Sequence, residues 1–92
     1  MHDWILLSIV VEWRKGDVTI SFDTYEFGVV ALIAQGLVSL SIPKHDSWGE
    51  SESVNKVIGP AQLNNGNYQV ELEIQSGDTI VLEAAQIQMP KT

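Results

Sequence analysis

The chain has 92 residues, of which 45% are hydrophobic and 18% are charged, and this composition excludes intrinsic disorder and predicts a single packed domain over residues 1–92. Twelve acidic residues against five lysines and arginines give a net charge of −7 at pH 7, which excludes nucleic-acid binding because affinity for phosphates comes mainly from basic side chains. The absence of cysteine excludes disulfides and thiolate metal sites, and it favours a cytoplasmic protein.

No membrane-spanning or signal segment is expected. The apolar stretch at the start follows an acidic residue, Asp3, and ends at Glu12, unlike a signal peptide with its basic beginning. The apolar stretch 29–42 contains polar residues and is shorter than the about 20 residues that a membrane helix needs.

Residues 4–13 predict a first β-strand that is apolar on both faces. Strict alternation directs one set of side chains toward the core, namely Ile5, Leu7, Ile9, Val11 and Trp13. The opposite face then carries Trp4, Leu6 and Val10. Such a face would leave a large apolar patch on a monomer, so we expect a homo-oligomer, most simply a dimer, that self-associates through these three residues.

The next segments predict three more strands. The sequence RKGD at 14–17 predicts a turn into a strand over 17–23. Residues 27–42 predict two strands, 28–34 and 37–42, separated by glycine. The second of these directs three side chains inward, namely Val38, Leu40 and Ile42, and it ends at Pro43 because proline cannot donate a ladder hydrogen bond.

Residues 43–60 predict a longer connection, within which a short helix over 50–58 is an alternative. Ser47 and Glu50 have the spacing of a capping box, and a glycine and a proline at 59–60 would end such a helix. Gly49 and the β-branched residues of the segment oppose it. Helix and strand therefore both stay open for 50–58.

Two hairpins follow the connection. Asn65-Gly66 between alternating segments is a strong hairpin signal, and the second turn is predicted over 76–78. A short terminal strand carries Ile87 and Met89. The chain therefore predicts an all-β domain of about seven strands, arranged as an antiparallel sandwich or a partly open barrel.

The residue types of a hydrolytic triad stand side by side as His45, Asp46 and Ser47. Consecutive residues point in different directions, so these three cannot form a relay among themselves. A catalytic metal needs three protein ligands, whereas the only histidines, His2 and His45, each stand beside a single acid. We therefore expect no enzyme activity, no metal and no cofactor.

The loop 44–56 is the predicted contact segment for a protein partner. Its acidic residues would attract a basic partner. Its tryptophan either packs down onto the fold, which is the favoured interpretation, or anchors an interface. The predicted partner-binding residues are His45, Trp48, Glu50 and Glu52.

Short motifs are spread over most of the chain: HDW at 2–4, SI at 8–9, Trp13 before a glycine turn, LSIP at 40–43, and WGES leading to VN over 48–55. Together they resemble a group of small uncharacterised bacterial β-rich proteins, some of which are similar to immunity proteins of toxin systems. The resemblance implies a stand-alone all-β domain without known catalytic residues.

Two classes of function follow from these features. The first is a small non-catalytic binding module that recognises a protein partner, of which an immunity-type protein would be one form. The second is a structural, self-associating homodimer that needs no separate ligand. An enzyme of unrecognised type is a third and weaker alternative.

Overall fold

Six antiparallel β-strands form one sheet in the computed structural model, which describes residues 4–43, 53–75 and 77–90. The strands are β1 (Ile5–Glu12), β2 (Asp17–Thr24), β3 (Gly28–Ser41), β4 (Val54–Gln62), β5 (Tyr68–Ile74) and β6 (Thr79–Gln88). Their order across the sheet is β1-β2-β3-β6-β5-β4. The all-β prediction is confirmed. Over the described ranges, the chain has no helix that is long and apolar enough to cross a membrane.

The two edge strands, β1 and β4, approach each other where each of them begins. A single antiparallel bridge joins Ile5 to Ser53, and the Val54 N–H donates to the Trp4 carbonyl oxygen over 2.7 Å. Among the described residues, no ladder continues from this bridge, so the sheet is not closed. This arrangement corresponds to the partly open barrel of the prediction.

One hydrophobic cluster receives side chains from all six strands. Its members alternate with outward-facing residues in β2, β5 and β6, as expected for strands with one face toward the core. The cluster consists of Leu6, Val18, Ile20, Phe22, Leu32, Ala34, Val54, Val70, Leu72, Ile74, Ile80, Leu82 and Ala84. The core therefore fills the concave side of the curled sheet.

A β-bulge at Leu7 makes the predicted faces of β1 wrong up to the bulge, whereas Ile9, which follows it, packs against the core as predicted. Leu6 lies opposite Phe22, but the register shifts before Ser8, which leaves Leu7 as an extra residue. Leu6 is consequently 8% exposed and belongs to the core, whereas Leu7, predicted to face inward, is 51% exposed. An extra residue in a strand reverses the alternation of inward and outward side chains. One continuous alternating pattern therefore cannot predict the faces of the residues both before and after the bulge.

Trp13 was predicted to face the core, and this prediction is wrong. Its side chain is 87% exposed, because β1 ends at Glu12 and Trp13 already lies in the turn that leads to β2. The turn itself is confirmed: the Gly16 N–H donates to the Glu12 carbonyl oxygen over 2.9 Å.

The two strands predicted over 28–34 and 37–42 are one continuous strand, β3, so the sheet has six strands instead of about seven. Gly36 is the glycine predicted to separate the two strands. It instead continues the strand with a φ of +70°, a left-handed backbone conformation that only glycine adopts readily.

A second bulge lies in β3. Its register against β6 shifts between Leu37 and Ser39, which leaves Val38 as the extra residue. Val38 and Ile42 are exposed, so only Leu40 of the three side chains predicted to face inward packs against the core.

The connection after β3 is shorter than predicted, because β4 already begins at Val54. The helix alternative is therefore wrong over 54–58, while residues 44–52 lie outside the described part of the chain. Both predicted hairpins are confirmed by the β4–β5 and β5–β6 pairing. Ile87 is not on a separate terminal strand, since β6 extends through it to Gln88.

Candidate protein-binding surface

The four residues predicted to contact a partner lie in the chain segment 44–52, which is outside the described residues. They are His45, Trp48, Glu50 and Glu52. Their role stays a prediction, and the candidate site is built from the described strands.

The three residues predicted to self-associate do not share one exposed face. Leu6 is in the core, and Trp4 packs against it with its ring centroid 5.9 Å from that of Phe22. Val10, after the bulge, is 54% exposed and lies opposite Thr19 on the other face. The predicted patch is therefore not formed, because the bulge at Leu7 separates its members. Self-association of the chain itself stays a prediction.

A different apolar surface follows β1 along its open side. We call residues 7–13 the β1 edge. Its exposed apolar side chains are Leu7, Val10, Val11 and Trp13. β2 pairs with one side of this segment, and no residue of the described ranges pairs with the other side after the bridge at Ile5. An edge strand of this kind presents backbone N–H and C=O groups to any strand that approaches it.

The opposite edge of the sheet, β4, carries features that oppose pairing. Its register shifts twice, once before Lys56 and once between Ile58 and Ala61, and the second irregularity contains Pro60. Bulges, lysine and proline are the usual protections of an edge strand. The β1 edge has none of them over residues 8–11, since its bulge precedes this segment and its only charge, Glu12, follows it. β1 is therefore the less protected edge.

The outer face beside the β1 edge is uncharged in its centre. Val18, Ile20 and Phe22 face the core, so the residues between them in β2 face outward. The pairing of β1, β2 and β3 places these outward residues in two rows across the sheet. The rows are Ser8, Ser21 and Ala31, and Val10, Thr19 and Ile33.

Carboxylates frame this uncharged centre at both ends. At one end Asp23 lies opposite Ile5, and at the other Glu12 lies opposite Asp17. Lys15 Nζ lies 3.6 Å from Glu12 Oε2, but both side chains are largely exposed, so this ion pair contributes little. The two ends of the surface therefore favour cationic groups, while its centre favours small or apolar ones.

The outer face of β5 and β6 is different in character. Its carboxylates accept hydrogen bonds from asparagine amides: Asn55 donates to Glu73 over 3.1 Å, and Asn65 and Asn67 both donate to Glu83 over 3.1 and 3.2 Å. Within the described ranges, no group of three or more histidine or acidic residues could hold a metal ion. This half of the sheet is a solvated polar face on which Glu73 and Glu83 already accept hydrogen bonds from asparagine amides.

Comparisons of the chain with protein-family models, with curated proteins and with solved structures found no significant match. The resemblance of the short motifs to bacterial β-rich proteins stays a prediction. The β1 edge and the outer face beside it are therefore the basis of the functional argument.

Proposed function

We propose that this chain is a small non-catalytic binding module that recognises a protein partner by adding one extended strand of that partner to the β1 edge. The observation that supports this function is the contrast between the two edges of the sheet: β4 carries a lysine, a proline and two register shifts, whereas β1 is uncharged and has a regular register over residues 8–11. In strand addition, main-chain hydrogen bonds supply affinity and alternate side chains supply specificity.

The charges around the edge define the chemistry of the partner strand. Its middle alternates small and apolar residues, which match the uncharged rows beside Ser8 and Val10. Its ends carry basic residues, one toward Glu12 and Asp17 and the other toward Asp23. A net charge of −7 on the chain adds a long-range attraction that speeds the encounter with such a partner.

A synthetic peptide tests the mode of recognition directly. The probe is the blocked hexapeptide RTVTVR, and its matched control is ETVTVE, which has the same strand propensity and the opposite charge. We expect RTVTVR to shift the backbone amide resonances of residues 8–12 and to slow hydrogen exchange at every second one of them, because only alternate N–H groups of an edge strand point away from β2 and can gain a partner in the added strand. We expect ETVTVE to bind at least about tenfold more weakly. Protection of β4 instead of β1 by RTVTVR, or equal binding of the two peptides, would refute the proposal.

A pair of lysine variants locates the binding edge. Val11→Lys places a charge in the β1 edge, and Ile58→Lys makes the same change in an exposed residue of β4. We expect Val11→Lys to weaken binding of RTVTVR by about tenfold or more, because a strand that pairs there must desolvate the ammonium group and repels it with its own arginines. Ile58→Lys should leave the affinity within about twofold. Equal effects of the two substitutions would show that only net charge matters.

Self-association is the second candidate, and the same edge favours it. In an antiparallel pair of β1 strands centred on Val10, Ser8 of one copy lies opposite Glu12 of the other and Ile9 lies opposite Val11, so no like charges face each other. Val10→Lys would place two ammonium groups directly opposite. This candidate predicts that sedimentation gives twice the 10.2 kDa chain mass for the natural protein and the single-chain mass for Val10→Lys. Val29→Lys, an exposed outer residue of β3, is the control that should stay dimeric. A natural chain that sediments as a monomer at high concentration excludes this candidate.

A further inference from the structure

A cleft of about 430 Å³ lies where β6 extends past the beginning of β5. The last residue pair between these strands is Tyr68 opposite Ala84, whereas β6 continues to Gln88, which lies opposite Ile33 of β3. In the described part of the chain, residues 86–88 therefore pair with β3 on one side and with no strand on the other. The difference in strand length creates the cleft.

The lining of the cleft combines amide groups with apolar and aromatic surface. The lining residues are Ile33, Gln35, Pro60, Tyr68, Gln86, Ile87 and Gln88. Gln35 lies opposite Gln86 and Ile33 lies opposite Gln88, so the amides stand on adjacent strands. None of these lining residues is charged.

Within residues 4–43, 53–75 and 77–90, the three glutamine amides of the cleft have no side-chain hydrogen-bond partner. Among the described residues, no side-chain hydrogen bond involves Gln35, Gln86 or Gln88, in contrast to the asparagines on the polar face, whose amides are bound to Glu73 and Glu83. Each glutamine offers two donors and one acceptor oxygen. The side-chain amides of these glutamines are therefore available to hydrogen-bond a ligand in the cleft.

We propose that this cleft binds a small, uncharged, hydroxyl-rich ligand with one apolar face, of the size and chemistry of a neutral monosaccharide. Its volume falls in the usual range for small-molecule sites, which are largely apolar with a few converging polar groups. Amides both donate to and accept from hydroxyl groups, while the Tyr68 ring and the Pro60 ring provide apolar surface for the C–H face of a sugar. A charged ligand is disfavoured because the lining offers no countercharge to offset its lost hydration.

This site does not overlap the β1 edge of the proposed protein-binding function. β6 lies three strands away from β1 in the sheet order, and the cleft contains no residue of the β1 edge, although it shares Ile33 with the outer face beside that edge. A ligand in the cleft can therefore be bound or absent without occupying the edge where a partner strand would add.

Titration of the isotope-labelled chain with D-glucose, D-galactose, D-mannose and N-acetyl-D-glucosamine, followed by nuclear magnetic resonance, tests the proposal. We expect at least one of these sugars to give saturable shifts of the side-chain amides of Gln35, Gln86 and Gln88 and of the Tyr68 ring. Glucuronate, the charged counterpart of glucose, should bind at least about tenfold more weakly than the best neutral sugar. Absence of saturable shifts at these groups with all four sugars, or equal binding of glucuronate, overturns the proposal.

Leucine substitutions of the cleft glutamines distinguish binding at a defined site from nonspecific contact with the sugar. Gln86→Leu keeps the size of the side chain but removes its amide, and we expect about tenfold weaker binding of the best sugar. Gln88→Leu should give a similar loss, and it serves as the second variant if Gln86→Leu does not fold. Gln75→Leu, an exposed glutamine outside the cleft, is the matched control and should bind as the natural chain does. Unchanged affinity of both cleft variants would show that the amides do not bind the ligand.

Discussion

Replacement of Phe22 by alanine is expected to lower the free energy of unfolding by about 3–5 kcal/mol, the usual cost of removing a buried aromatic ring. Phe22 is fully buried, lies opposite Leu6 and Val30, and packs its ring against Trp4. A chain of this length has a total stability of about 5–14 kcal/mol, so the substitution removes a large share of it. The midpoint of urea unfolding, read from tryptophan fluorescence and circular dichroism, measures the change.

Tyr25→Ala is the matched control for this prediction, since it also removes an aromatic ring but from a side chain that is 90% exposed. It should change the free energy of unfolding by no more than about 0.5 kcal/mol. A loss below about 1 kcal/mol for Phe22→Ala would mean that the ring does not hold β1 and β3 against β2.

The strands with one polar face were predictable from the sequence. In β2, Val18, Ile20 and Phe22 alternate with polar residues, and all three lie in the core. The same holds for β5 and β6, because a register error in such a strand would bury polar side chains and expose apolar ones. In such strands the alternation of apolar and polar residues therefore predicts both the position of the strand in the sequence and the face that points to the core.

The strands that are apolar on both faces were not predictable in the same way. In β1 and β3 almost every residue could be buried, so the sequence does not indicate where an extra residue interrupts the alternation. The bulges at Leu7 and Val38 become visible only when the backbone partners are known. Each of them turned an expected inward residue toward solvent.

The two candidate sites depend on pairing between distant parts of the chain. The sequence marks Val10 as an apolar residue that needs a partner, but the position of β1 at an edge of the sheet follows only from the strand order. The cleft depends on the lengths of β5 and β6 and on the approach of Pro60, while its glutamines have no distinguishing pattern in the sequence. Long-range pairing, not local composition, creates both surfaces.

Gly36→Ala is expected to destabilise the chain by about 2–5 kcal/mol, for two separate reasons. A side chain at a φ of +70° costs about 1–2 kcal/mol in an L-residue. The new Cβ would also lie 2.7 Å from the Cβ of Ala85 on β6, and relieving such overpacking costs about 1–3 kcal/mol. The distortion reaches the β1–β2 turn as well, because the neighbouring Leu37 N–H donates to the Gly16 carbonyl oxygen over 2.9 Å.

Two further variants separate these two costs in urea unfolding experiments. Gly28 has nearly the same backbone conformation, with a φ of +71°, but no atom within 4 Å of the added Cβ, so Gly28→Ala should show only the backbone cost of about 1–2 kcal/mol. Ala85→Gly, introduced into the Gly36→Ala variant, removes the contact between the two Cβ atoms. It should recover the part of the lost stability that comes from overpacking, and a double-mutant cycle measures this part. If Gly36→Ala is no more harmful than Gly28→Ala, β3 and β6 are not in close contact at this point. A large excess that Ala85→Gly relieves would instead show that glycine is required at position 36 for the close approach of the two strands as well as for its backbone angle.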